Sequence, residues 1–232
     1  MQTSQELYDR FRSDVQDEVR PYLWSDVDVF TYMNAAYVTF VRNTGGVADS
    51  TSAITQVSIV AGEQTATVSP LILRYRAVYL LSTGEEISVI NEQDPTMPTS
   101  DYKNMRRMIN DTRPGPVRYM VIGTDRNQDG NLVKWVQVPA VADTAQLSVY
   151  RLPLTRIPEG DGAFTFPDIG AEHIEHLALG MKASAYGKHD ADVFDATKRD
   201  YYKTAFAQYC GVAKAEWERY KHKTRAIAYG GI

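Results

Sequence analysis

A single cysteine, Cys210, stands in a chain of 232 residues. One thiol excludes an intramolecular disulfide framework and any zinc site built on several cysteines. Histidine is scarce too, at four copies, which leaves little material for a His-rich metal centre. No run reaches the roughly 18 apolar residues of a membrane span; the stretch LILRYRAVYLL at 71–81 is broken by Arg74 and Arg76. The opening MQTSQELYDRF lacks the basic start and apolar core of a signal peptide. These absences lead us to expect a chain that works in a reducing cytoplasm, neither secreted nor inserted in a membrane.

What is present is the composition of a folded chain of one or two domains. Apolar residues make up 44% and charged residues 23%, with 15 Gly and 10 Pro. Tyrosine is abundant, 15 copies against 3 Trp and 7 Phe, and such amphipathic rings suit surfaces that meet other proteins. The net charge of −4 hides an asymmetry: Lys198 to Ile232 carries +5, and the other 197 residues carry −9. The negative total argues against a general nucleic-acid binder, while its distribution gives a basic tail on an acidic body.

Periodicity divides the chain into three stretches. Leu7, Phe11, Val15 and Val19 recur at helical spacing until Pro21. A second helix starts at Ser25, with Asp28 as its capping-box partner and Asp26 adding charge near the N-terminus; Phe30, Met33, Tyr37 and Val41 form its stripe, and Gly45 and Gly46 end it. From about 53 to 152 the pattern turns to strands: 57–60, 65–69, 73–81, 87–90, 118–124, 132–138 and 145–152. Thr83-Gly84 and Asp129-Gly130-Asn131 read as hairpin turns, Asp94 to Pro98 as a loop before a short helix at 100–110, and Pro114 to Pro116 as the close of that excursion. After a linker at 153–167, Asp168 is the expected cap of a helix with Ile174, Leu177, Met181 and Ala185 on one face, broken at Gly187. A long last helix carries Tyr202, Phe206, Tyr209, Ala213, Trp217 and Tyr220.

The expected fold is therefore α+β. A four-helix bundle forms from N-terminal (1–48) and C-terminal (168–218) helices, with a central antiparallel β-rich insertion (53–157), sandwich- or barrel-like, and an extended docking tail at 219–232.

Three constellations invite a chemical reading. Asp125, Asn127 and Asp129 before Gly130 follow the order of a calcium loop, but the twelfth position is Val136 where a bidentate Glu is needed. A hairpin turn explains the same residues. Glu172, His173, Glu175 and His176 share a helix and make a metal site conceivable, although the order is not H-E-x-x-H; the exposed face of an amphipathic helix accounts for them better. Cys210, in an apolar-aromatic helical stretch, reads as packing. No nucleophile elbow or phosphate loop appears, so neither enzyme nor cofactor is expected. The basic, aromatic C-terminus, with Lys214, Arg219, Tyr220, Lys221, Lys223, Arg225 and Tyr229, suits docking on an acidic protein partner better than binding single strands.

Several segments resemble a known family. LWSDVDVFTYMNAAYVTFVR at 23–42, with Trp24, Ser25, Asn34 and Ala35, resembles the second helix of head-to-tail adaptor proteins of tailed bacteriophages. VPAVADTAQLSVYRLPLTRI at 138–157 and EHIEHLALGMKASAYGKHDADVFDATKRDYYKTAF at 172–206 are similar to later stretches of that family, the second through Lys188, Asp190 and Asp192. The resemblance implies a structural virion protein, made in the host cytoplasm and placed at the virion neck. It implies a ring, usually dodecameric, under the portal protein, with the tail tube or nozzle below and double-stranded DNA passing through without specific binding. Portal docking then falls to Arg219, Tyr220, Lys221, Lys223, Arg225 and Tyr229, and subunit contacts to Tyr37, Tyr186, Tyr202 and Trp217. Two alternatives stand beside it: another neck component such as a tail-completion protein or stopper, and a metal-dependent hydrolase using Asp125, Asp129, His173 and His176.

Overall fold

In the computed structural model, residues 2–91, 107–127, 130–188 and 193–221 are described. The expected loop at Asp94 to Pro98 and the start of the expected helix at 100–110 lie outside them, although residues 107–109 are helical. The architecture is mixed α+β. The chain divides into two units, Met1–Gly46 with Pro153–Ile232, and Val47–Leu152.

In the first unit, α1 (Ser4–Asp14) begins where the Thr3 hydroxyl accepts the Glu6 amide, and buries Leu7 and Phe11. It stops sooner than its apolar spacing suggests. The Asp17 amide donates to the Arg12 carbonyl, Gln16 adopts a φ of 57°, and Val19 is 81% exposed, so Val15 and Val19 do not extend the stripe. Helix α2 (Asp26–Asn43) has the expected capping box between Ser25 and Asp28, and Gly45 and Gly46 follow it at φ of 99° and 89°. Both glycines take the left-handed conformation that disfavours other residues.

The expected helix after the linker is two pieces, α3 (Ala171–Ile174) and α4 (Leu177–Tyr186). Gly170 occupies the N-cap of α3, not Asp168. The Asp168 carboxylate instead accepts a 3.0 Å hydrogen bond from Tyr37 on α2. Asn34 makes the other long-range tie: its side chain donates to the Ile157 carbonyl and accepts the Ile157 amide, both at 2.9 Å, as a neighbouring strand would.

Helix α4 lies between α2 and α5 (Ala196–Lys221). The contact depends on Gly180, where an added Cβ would stand 3.0 Å from Ala36 Cβ and 2.9 Å from Phe206 Cε1. Gly180→Val is therefore expected to lower stability by about 1–3 kcal/mol through overpacking, measured by urea denaturation. An unchanged midpoint would show that the helices separate at little cost.

The second unit holds two four-stranded sheets. In one, β10 (Asp143–Arg151) is central, pairing antiparallel with β4 (Ile72–Leu80), β2 (Gln56–Ile59) and β1 (Val47–Asp49). In the other the order is β3 (Thr65–Val68), β8 (Gly130–Trp135), β7 (Tyr119–Asn127), β5 (Ser88–Asn91). Both sheets contribute to one core, including Ile59, Val78, Met120, Trp135 and Leu147. The insertion is not wholly antiparallel. Strand β5 runs parallel to β7, as does β6 (Pro114–Gly115) to β9 (Val138–Pro139); the long connection between Asn91 and Tyr119 gives the crossover that parallel pairing requires. Gly123, at φ 83°, marks the shift in β7 register between Val121 and Asp125.

Candidate interaction surface

The helical unit presents a cluster of aromatic rings and cations where α4 meets the start of α5. Tyr186 stacks on Tyr202 at 5.9 Å between centroids and 10° between planes, and Tyr201 meets Tyr202 edge-on at 5.2 Å. Each helix carries a lysine four residues before its tyrosine, and the two cross over. Lys182 Nζ lies 5.2 Å from the Tyr202 ring and Lys198 Nζ 4.9 Å from the Tyr186 ring. Behind them Trp24 packs edge-on against Tyr186 at 5.8 Å and donates its indole N–H to the Ala185 carbonyl at 3.2 Å. Lys182 is further held by Asp14 of α1 at 2.6 Å.

Electrostatics follow from this packing. Burial pushes the Tyr186 hydroxyl up, against the pull of Lys198, so it stays a neutral donor in ordinary buffers. Tyr201 remains 67% exposed and Phe194 41%. Rigid rings with cations on their faces, part buried and part open, are the material of protein-protein anchors. Their chemistry suits binding another protein surface.

Lys188 continues this edge. Its ammonium pairs with Asp28 at 2.9 Å, joining the end of α4 to the capping box of α2 and, with Ser25, holding the Asp28 carboxyl below its usual range. Its companions Asp190 and Asp192 lie outside the described residues.

The four expected interface residues are not alike. Tyr186 and Tyr202 come together in the cluster, whereas Trp217 is half-buried far along α5. Tyr37 is 0% exposed, packed edge-on to Phe166 at 5.3 Å and bonded to Asp168, so it lies in the core of the helical unit. Tyr201, Lys182 and Lys198 join the cluster without belonging to the apolar or aromatic stripe of either helix. The Lys-x3-Tyr spacing on both helices is the signal that points to them.

The histidines flank Tyr209. His173, 4% exposed, shares a 2.8 Å hydrogen bond between Nδ1 and the Tyr209 hydroxyl, and His176 stacks on the same ring at 3.6 Å. Burial, helped by Glu216, Glu172 and Glu175, pushes the Tyr209 hydroxyl up to about 12. Burial pushes His176 down. Glu175 pairs with Arg10 at 2.9 Å. Cys210 is buried, and its thiol is pushed up by that burial.

Strands β7 and β8 pair antiparallel as far as Asn127 opposite Gly130, the geometry of a hairpin rather than of a loop between helices. Asp125 and Asn127 belong to β7, and Asp129 lies outside the described residues.

The first three residues of the segment expected to be extended, 219–232, are helical. Helix α5 continues through Tyr220 to Lys221, because no glycine or proline interrupts EWERYK. Arg219 is exposed, while Lys223, Arg225 and Tyr229 lie outside the described residues. Along α5 burial ends at Ala213, so Lys214 to Arg219 run on with only Trp217 partly covered.

No curated protein matches the chain. The family model described as SU10 adaptor protein matches residues 2–226, nearly the whole length. The helical unit, the sheet unit and the surfaces described above thus belong to a phage structural adaptor, and the chain is a member of the SU10 adaptor protein family.

Proposed function

We propose that this chain is a head-to-tail adaptor subunit: copies of it, twelve in the usual arrangement, form a ring at the virion neck beneath the portal protein. DNA passes through the ring, and the tail tube or nozzle attaches below. The observation that carries this reading is the family match across residues 2–226. In this reading α1, α2, α4 and α5 act as the four-helix bundle of the ring wall, and the cluster around Tyr186 and Tyr202 meets a neighbouring copy. The acidic body, −9 outside the last 35 residues, suits a channel through which DNA slides, because it repels phosphates.

The C-terminal segment from Arg219 is the portal-docking element. Helix α5 extends past its last buried position at Ala213 and ends in a basic stretch, which brings positive charge away from the core. Removing residues 219–232 is expected to weaken portal binding by about tenfold or more while leaving the unfolding midpoint in place, read by co-sedimentation with purified portal and by thermal melting. Equal binding by the shortened chain would remove the docking role from this segment.

A further inference from the structure

The face of the β10 sheet opposite the core residues Ala145, Leu147 and Val149 carries a pair of cations with no carboxylate partner among the described residues. Tyr150 of β10 stands opposite Arg74 of β4 and is 9% exposed. Arg74 Cζ lies 4.5 Å from the Tyr150 ring centroid and Arg76 Cζ 5.4 Å. Arg76 falls at the irregularity where β4 pairing shifts between Ser148 and Val149, a bulge of the kind that re-aims a side chain. Both arginines are exposed, and among the described residues no carboxylate lies within 4.0 Å of either. Arg151 and Arg113 of the same unit, by contrast, each hold an aspartate.

Stacking on Tyr150 limits the motion of the two guanidiniums, so less entropy is lost when they form ion pairs. Two such forks side by side fit carboxylates on a protein surface. The charge balance indicates whose surface. Outside its last 35 residues this chain carries −9, so copies set side by side repel one another unless a positive site on one meets acid on the next. We infer that the Arg74, Arg76 and Tyr150 face is a subunit contact that receives carboxylates of a second copy of this chain. Such a head-to-tail contact, one face against a different face, is the kind that closes into rings. The inference rests on the ring reading given above.

The test uses the full chain assembled on its portal. Arg74→Glu with Arg76→Glu is expected to keep the unfolding midpoint and to reduce the fraction of complete rings, counted by electron microscopy, by about tenfold or more. A second variant keeps the charge and reports the partner. Arg74→Lys with Arg76→Lys, treated with a carbodiimide that joins amines to carboxylates, is expected to give crosslinks to acidic residues of another copy, identified by mass spectrometry. Complete rings from the Glu variant would overturn the inference and leave the ring reading intact, also if that variant retained less DNA. Crosslinks confined to portal peptides would likewise overturn it. If wild-type chains form no ring on the portal, the ring reading itself fails and this contact fails with it.

Discussion

Arg12→Ala is expected to cost about 3–5 kcal/mol of folding stability, because it leaves a buried carboxylate without its cation. The Arg12 side chain is 4% exposed and that of its partner Asp17 is 6%. The guanidinium donates to the Trp24 carbonyl at 2.7 Å, to Asp26 at 2.8 Å, to the Tyr8 hydroxyl at 3.0 Å and to Asp17. Its Cζ lies 4.0 Å from the Tyr22 ring centroid. Asp17 in turn accepts the Leu23 amide at 2.7 Å, so one arginine organises the whole turn between α1 and α2. Lysine cannot copy this fork, and Arg12→Lys is expected to recover only part of the loss. Urea denaturation followed by far-ultraviolet dichroism measures both. A loss below about 1 kcal/mol for alanine would mean that Asp17 behaves as an exposed surface acid.

The second large effect is expected in the sheet unit, at Asp49. Asp49→Ala removes a carboxylate partner of Arg151, whose side chain is 10% exposed against 5% for Asp49 itself, and is expected to cost about 3–5 kcal/mol. Burial alone pushes the Asp49 carboxyl up. Hydrogen bonds from the Ser52 hydroxyl at 2.6 Å, the Thr51 amide at 2.9 Å, the Ser52 amide at 3.1 Å and the Arg151 guanidinium outweigh it, and the group sits well below its ordinary value of 3.8. The sign of the pH dependence follows. The folded state holds this proton less tightly than the unfolded state, so the stabilisation is complete above pH 3.8 and is lost as pH falls below it. Asp49→Asn keeps the shape but not the charge, and is expected to flatten the acid limb of the stability curve. An Asn variant whose stability falls with acid as steeply as the wild type would contradict this assignment.

Local signals were the readable part of the chain. The capping box at Ser25 and Asp28 and the stripe through Met33 and Val41 lie within one helix, and α2 forms as those residues suggest. Seven strands were visible from their β-branched and aromatic runs. The strands at Val47–Asp49, Pro114–Gly115 and Val138–Pro139 are too short to show alternation, and they exist because β10 and each other supply partners. Tertiary contacts were hidden for the same reason. Nothing near Val15 announces that Arg12 will turn the chain toward Asp17, and Asn34 and Ile157 meet across 123 positions. The family resemblance points to Tyr37, Tyr186 and Tyr202 alike as contact residues, but neither it nor a helical stripe says which ring faces the core, and Tyr37 is fully buried. Arg74 and Arg76 announced themselves only as interruptions of an apolar run. Their shared ring, Tyr150, becomes evident once the register of β4 against β10 is known.

The ring proposed here stands at the junction of head and tail. A cryo-electron microscopy reconstruction of the virion neck tests it most directly. Density for both units of this chain is expected, repeated around the DNA channel directly under the portal, with the basic end of α5 against the portal. Density for this chain elsewhere in the particle, or a neck layer into which its two units do not fit, would contradict it.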